Sequence, residues 1–340
     1  MLTPSRFRAI AAPYRSLKIA LVGDFCLDRY LEIDPARGET SLETGLPVHN
    51  VVAARPQPGG AGTVLSNLCA LGVGEIFPLG FCGEDGEGYE LRRALERLPG
   101  VAKDGLLVTR ERSTFTYCKP LVVSPGQPPR ELNRLDTKNW TPTPTSVEDE
   151  LIARLRRVAK SVDAIILLDQ VDLPDTGVIT TRLLEAVGEI SAALPRLWIL
   201  ADSRRRLSKF PPVCFKMNRA ELAQISSTHA TADIAALQTV AAELARRNQR
   251  HVFVTLSEEG IVGATPAGEM AHAPVPPLRG SIDIVGAGDC VTANLTCALA
   301  AGAQLSEALQ IAMAASSIVI HQLGTTGTAS PEQIGELLSA

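Results

Sequence analysis

The first sustained apolar run, Lys18-Ile-Ala-Leu-Val-Gly23, stops at a glycine and is followed at once by Asp24. So short a hydrophobic stretch predicts a strand buried on both faces that delivers polar residues at its carboxyl end. From Phe25 to Pro58 polar and β-branched residues mix with repeated Gly and Pro. Within that stretch Pro47-Val-His-Asn-Val-Val52 roughly alternates, which predicts a half-covered strand outside the main sheet. Gly59-Gly60-Ala-Gly62 then leads into a helix over Thr63 to Leu71, with Val64, Leu68 and Leu71 on one face and Gly72 as the stop. Ile76 to Gly80 predicts a strand and Gly86 to Leu98 a helix. Arg112 to Val123 and Glu131 to Asp136 predict extended segments on either side of the turn Ser124-Pro-Gly-Gln-Pro-Pro129. The two β-rich excursions are expected to pair into one small sheet.

From residue 147 onward the period changes regularly between helix and strand. The pattern predicts helix Val147–Val162, strand Ala164–Leu168, helix Thr176–Leu194, strands Leu197–Ala201 and Cys214–Met217, helix Ala232–Arg247 and strand His251–Thr255. Helical stretches over Gly288–Ala301 and Ser306–Leu323 follow, with a closing helix after Pro331. Apolar strands joined by amphipathic helices imply right-handed crossovers and a doubly wound, mostly parallel α/β sheet flanked by helices.

Composition supports this and narrows the function. The 340 residues are 45% hydrophobic but only 4% aromatic, as suits aliphatic strands under helices and not disorder. A formal net charge of −4 supplies no overall field for nucleic acid or an anionic membrane, so neither is an expected partner. Met1 to Leu17 carries Arg6, Arg8 and Arg15 and lacks the apolar stretch of a secretory signal. The richest apolar run, Val291 to Leu323, is broken by Gly, Ser, Asn and His. A cytoplasmic protein is expected. The seven cysteines are scattered without a Cys-x-x-Cys pair, which argues against zinc and a disulfide framework.

The sharpest chemical signal is Asp283-Ile-Val-Gly286-Ala287-Gly288-Asp289 at the start of an Ala-rich helix. Small residues expose backbone N–H groups to an anion, and a helix N-terminus adds positive potential. An Asp at that point can also accept a hydroxyl proton while the amides stabilise a transferring phosphoryl group. Read alone, the same run is equally a capping Asp after a glycine turn. No Walker Gly-x-x-x-x-Gly-Lys-Ser/Thr run is present, and no Gly-x-Gly-x-x-Gly follows the first strand, which disfavours a Rossmann dehydrogenase.

Asp283-x-x-Gly-Ala-Gly-Asp289 resembles the C-terminal signature of the ribokinase-like (PfkB) carbohydrate kinases, Gly59-Gly60 before a helix resembles their N-terminal one, and Asn218-Arg-Ala-Glu221 between them is similar to their Asn-x-x-Glu element. The likeness runs from Lys18 to Glu332. It points within the family to the kinase part of bacterial heptose kinase and adenylyltransferase enzymes, through Gly23-Asp24-Phe-Cys-Leu-Asp28-Arg29-Tyr30, Arg134-Leu-Asp136, Val254 to Gly260 and Leu323 to Pro331.

The resemblance implies one ribokinase-like kinase domain over 1–340, with lid segments near 25–58 and 110–137 and pairing into a homodimer. It implies transfer of the ATP γ-phosphate to a sugar or sugar phosphate, with a heptose phosphate favoured. Asp289 would be the base and Gly286, Ala287 and Gly288 the anion hole. Asp24, Asp28, Gly59, Gly60 and Asn67 would line the acceptor site. ATP would meet Asn218, Thr255, Ser257, Gly260 and Gly288, with adenine packed near Met313 to Ser317. Asn218 and Glu221 would support Mg²⁺, and Asp283 a monovalent cation such as K⁺. The alternatives are a nucleoside kinase and a catalytically silent sugar- or nucleotide-binding regulatory member.

Three departures stand out. Thr63 replaces the usual Asn. Leu168-Asp169-Gln170-Val-Asp172-Leu-Pro174 replaces a Ser-Asp-Tyr-x-Lys-Gly stretch. Asp202-Ser-Arg204-Arg205-Arg206 replaces Asp-Pro-Lys-Gly, concentrating guanidinium groups that suit phosphate. The nucleotidyl-transferring half of the bifunctional enzymes has no counterpart in these residues, so a kinase acting alone is expected.

Overall fold

Alternate side chains of the central strands enter two separate hydrophobic cores. Ile19 and Leu21, with Ile166 and Leu168, face one core, while Ala20 and Val22, with Ile165 and Leu167, face the other. A strand covered on both faces needs apolar residues at every position, which is why these runs do not alternate. The computed structural model describes residues 2–102, 105–204, 207–226 and 232–339.

The first half of the chain contains α1 (Pro4–Ala11), β1 (Lys18–Gly23), β2 (Phe25–Ile33), β3 (Glu39–Thr40), β4 (Pro47–Val48) and β5 (Val51–Gly60). Then come α2 (Ala61–Ala70), β6 (Glu75–Gly83), α3 (Gly86–Leu95), β7 (Leu106–Thr109), β8 (Thr116–Val122), β9 (Arg130–Glu131) and β10 (Leu135–Thr137). The second half contains α4 (Thr145–Val158), β11 (Ala164–Asp169), α5 (Thr181–Ala193), β12 (Trp198–Ser203), β13 (Cys214–Asn218), α6 (Arg219–Ile225) and α7 (Ile234–Asn248). It ends with β14 (Val252–Thr255), β15 (Ile261–Ala264), β16 (Met270–Ala273), α8 (Ala287–Ala300), α9 (Leu305–Val319) and α10 (Pro331–Leu337).

Nine strands form one sheet in the order β16-β15-β14-β13-β12-β11-β1-β6-β7. It is parallel except at the β14–β15 and β15–β16 pairs. A second sheet runs β10-β8-β2-β5, with β9 on β8. Here β2 pairs antiparallel with β5 and parallel with β8. The chain crosses between the sheets at Asp24, the single residue separating β1 from β2.

The structure departs from the sequence expectation at informative places. Residues 25–33 form one nine-residue strand, concealed in the sequence by Asp28, Arg29 and Glu32 on a partly exposed ribbon. The helix expected from Thr176 starts at Thr181, capped by the Thr180 hydroxyl; the preceding residues form a loop whose amides hold Asp24. Helix α1, with Thr3 as its cap and Pro4 at its first position, and the antiparallel strands β15 and β16 at one end of the large sheet had no counterpart in the sequence reading. Among the described residues, no helix is long and apolar enough to cross a membrane.

Candidate active site

The run Asp283 to Asp289 turns into α8 at the carboxyl side of the parallel strands. Gly286 caps the helix at φ +82°, a left-handed conformation natural to glycine. Asp283 staples the turn: its carboxylate accepts from the amides of Val285 (3.0 Å) and Gly324 (3.3 Å), while its own N–H donates to Ile320 O (2.7 Å). The Ala287 amide is committed to Ile284 O at 3.2 Å. The N–H groups of Gly288 and Asp289 lie in the first helical turn, where no intrahelical acceptor exists. An incoming anion therefore meets those two amides and the positive end of α8.

Asp289 has part of its surface open to a cavity and protein packed around the remainder. Burial pushes its carboxyl up to about 7; Asp202 adds to the rise, while Lys216 and Arg204 oppose it and Asp28 contributes a weaker upward push. A carboxyl poised near neutrality suits proton abstraction. Under the turn, Lys216 Nζ lies 2.8 Å from Asp202 Oδ2, which also accepts from the Thr292 hydroxyl at 2.8 Å. A Cβ on Gly288 would stand 3.1 Å from the same Nζ.

The cavity beside Asp289 has a volume of about 310 Å³ and is walled by Asp28, Lys119, Arg134, Lys138, Arg204 and Gly286, among others. Asp28 projects from β2, held by Lys119 Nζ at 3.4 Å. Burial raises the Asp28 carboxyl above its usual range, and Lys119 opposes that. Lys119 also lies 3.3 Å from the Tyr30 hydroxyl, Arg134 is bidentate to Asp136 (2.8 and 2.7 Å) over the Tyr117 ring, and Lys138 reaches Asp172 at 3.1 Å. Three carboxylates, Asp28, Asp172 and Asp289, and four cations thus share a single small space.

Glycines at the end of β5 make that space possible. A Cβ on Gly59 would stand 2.9 Å from the Asp28 carboxylate, and one on Gly60, at φ +56°, 2.5 Å from Asp24 O. Gly59 clears room for Asp28, and Gly60 lets β5 turn into α2 against the chain crossing at Asp24.

Two of the residues expected at the acceptor, Asp24 and Asn67, do not line the cavity. Asp24 is fully buried and accepts from the amides of Gln170 (2.9 Å), Val171 (3.1 Å) and Val178 (2.7 Å). Its carboxylate is therefore spent fixing the loop after β11. Asn67 is also fully buried, donating to Thr63 O at 3.0 Å. Neither side chain reaches the cavity surface in this structure, and the Asn67 carbonyl oxygen is buried without a hydrogen-bond partner. Thr63 does line the cavity.

At the carboxyl end of β13, Asn218 and Glu221 form a reciprocal capping box: Glu221 N–H donates to Asn218 Oδ1 (2.9 Å), and Asn218 N–H donates to Glu221 Oε2 (2.7 Å). Burial raises the Glu221 carboxyl. One carboxylate oxygen is left beyond the cap, and among the described residues no cluster of three acidic, His or Cys ligands could hold a metal. This donor set fits a magnesium ion held chiefly by phosphates and water, and not by an all-protein cage. Thr255 sits beside Asn218 in the β13–β14 register. Ser257 follows, and Gly260, at φ +92°, is required by the fold, since a Cβ there would meet Ala273 O. Arg204 lines the cavity, whereas Arg205 and Arg206 lie outside the described residues.

Sequence reasoning missed Lys119, Lys138 and Lys216. The alternation of β8 places Tyr117 and Lys119 on one face, and a lysine inside the apolar run Cys214–Met217 is itself a signal, because lysine is seldom buried unless paired.

The profile of the pfkB family of carbohydrate kinases matches residues 19–333. The bifunctional protein HldE of Hyphomonas neptunium is 31% identical over 324 residues, which cover 95% of this chain and 63% of that protein. HldE of Trichlorobacter lovleyi is 32% identical over 322 residues, covering 94% and 62%. The chain thus spans less than two thirds of the length of these relatives. Phosphofructokinase-2 from Escherichia coli, solved with substrates and products, superposes with a TM-score of 0.72 at 18% identity, over 95% of this chain and 98% of that one. Arabidopsis thaliana ribokinase, solved with ribose and ATP, superposes at 0.69 and 18%, over 95% and 99%. At that identity the likeness is one of fold.

Proposed function

The chain belongs to the pfkB family of carbohydrate kinases, and from that premise we propose that it transfers the γ-phosphoryl group of ATP to a hydroxyl of a sugar phosphate, with Asp289 as general base. The observation that carries this reading is the shared cavity: Asp289, pushed up to about 7, stands with Asp28 and four cationic side chains around about 310 Å³. Asp28 is suited to hold acceptor hydroxyls. Lys119, Arg134 and Lys138 are each paired with a carboxylate, Asp28, Asp136 and Asp172, yet their remaining N–H donors together with Arg204 suit the phosphate of a phosphorylated acceptor. The likeness of Gly23 to Tyr30 to the heptose kinases favours a heptose phosphate.

In the proposed step Asp289 takes the proton of the attacking hydroxyl, and the Gly288 and Asp289 amides, backed by the α8 N-terminus, receive the charge on the transferring group. Magnesium, where Asn218 and Glu221 hold it through water and phosphate, would neutralise phosphate charge. Thr255, Ser257 and Gly260 would border the nucleotide, and a K⁺ ion near Asp283 would reinforce the same turn. The five-stranded sheet would act as a lid that excludes water from the acceptor. Its edge strand β5, with Val51 and Val52 exposed, would pair with a second copy.

A coupled assay of ATP consumption over sugars and sugar phosphates tests the reading. Turnover should be highest with a sugar phosphate and should disappear in Asp289→Asn while ATP binding persists. Undiminished turnover in that variant would sink the assignment.

A further inference from the structure

The proposed chemistry uses Asp289 but gives no task to the charge pair buried under it. Asp202 and Lys216 are register partners on β12 and β13, 7% and 6% exposed. The Thr292 hydroxyl, close to one helical turn beyond Asp289, reaches Asp202 at 2.8 Å and the Gly288 carbonyl at 3.1 Å. A buried ion pair is a weak device for stability, since well-packed apolar residues commonly do as well or better. Its location is more telling. Lys216 Nζ lies 3.1 Å from where a Cβ on Gly288 would stand, so a side chain there would press on the ammonium.

We propose that Lys216, anchored by Asp202 and Thr292, is a positioning residue for the phosphoryl transfer: its ammonium supports the first turn of α8 from below and places a fixed positive charge behind the amides that face the transferring group. The inference rests on the reading of Asp289 as the base. It accounts for a glycine at 288, where a Cβ would crowd the ammonium, and for a charged pair where the sheet would otherwise be apolar.

The groups facing Asp289 are Asp202 on β12, Arg204 just beyond it, Lys216 on β13, Asp28 on β2 and the positive end of α8 itself. Asp202 and Asp28 raise the Asp289 carboxyl, and Lys216 and Arg204 lower it. Removing one member of the buried pair must therefore move the acid limb of kcat/KM in a direction fixed by its sign.

The test is the pH dependence of kcat/KM and the separate kcat and KM values of the intact chain, with ATP, magnesium and the best acceptor of the sugar panel. Asp202→Asn keeps the shape and removes a negative charge, so its acid limb should move down by roughly one pH unit. Lys216→Gln removes the positive charge. Its limb should move up, and kcat should fall about 10- to 100-fold with acceptor KM within about threefold. A merely structural pair would lower activity in both variants without moving the limbs apart. Limbs that stay at the parental pH, or shift in the same direction, overturn the inference, provided that Asp289→Asn has lost turnover. If Lys216→Gln does not fold, the limb of Asp202→Asn alone decides. Retained turnover in Asp289→Asn would instead overturn the base assignment, and this inference with it.

Discussion

The floor of the cavity and its wall are built by different means. At the floor, Gly286, Gly288 and Asp289 are fixed by the main chain, by the Asp283 staple and by the buried Lys216–Asp202 pair. At the wall, Asp28 is a buried carboxylate of the smaller sheet, and Lys119, Arg134 and Lys138 are long side chains on and beside it, held by ion pairs, with the Tyr30 hydroxyl and the Tyr117 ring as further contacts. Backbone geometry and buried charge tolerate little change but depend on few side-chain identities. A wall of side chains can be recomposed residue by residue. On the proposed reading, phosphoryl transfer belongs to the first region and acceptor choice to the second.

The floor should give the largest effects. Asp289→Asn should reduce kcat by about 10³-fold in the coupled ATP assay, the range expected for loss of a general base. The same change should raise stability. With its folded carboxyl near 7 against an ordinary 3.8, Asp289 keeps a proton that the unfolded chain has released between those values, so native stability falls as pH rises through that window. Asn cannot ionise. Urea unfolding should therefore show the variant gaining on the parent between pH 4 and 8, by about 2–4 kcal/mol at the upper end. In the parent, kcat/KM should rise with pH through about 7 as Asp289 loses its proton.

Gly288→Ala comes next. Its methyl must displace Lys216 Nζ or tilt the helix start, so kcat should fall about 10²-fold with ATP and acceptor KM nearly unchanged. At the wall the parameter that changes should be KM. Lys119→Met removes the charged partner of Asp28 and should raise acceptor KM about 10- to 50-fold, with kcat within about threefold. The smallest effect is expected at exposed Arg204, where Arg204→Gln should raise KM for a phosphorylated acceptor by less than about fivefold and leave an unphosphorylated one unaffected. A wall variant that lowered kcat without touching KM would erase the contrast between the two regions.

Much of the floor was legible because its signals are local. A glycine-rich turn, an acidic residue and an Ala-rich helix are contiguous in sequence, and Asn218-x-x-Glu221 is a capping box within four residues. The core strands Lys18–Gly23 and Ala164–Asp169 were equally plain, since burial on both faces leaves an unbroken apolar run. The wall was less legible: β2 pairs with β5 and β8, so Asp28 and Lys119, 91 residues apart, meet through strand register alone. Asp24 and Asp28 look alike in sequence, and a difference of four residues sends one into three backbone amides and the other into the cavity.

By itself the sequence determined the buried core strands, the helices that alternate with them and the turn at Gly286 to Asp289, because these depend on near neighbours along the chain. Only the tertiary structure decided which carboxylate faces the cavity, that Lys119 and Lys138 line it, and that Lys216 lies buried beneath the turn. It alone also set Asp289 near neutrality, because burial and charge pairing are sums over residues that folding, and not chain order, brings together.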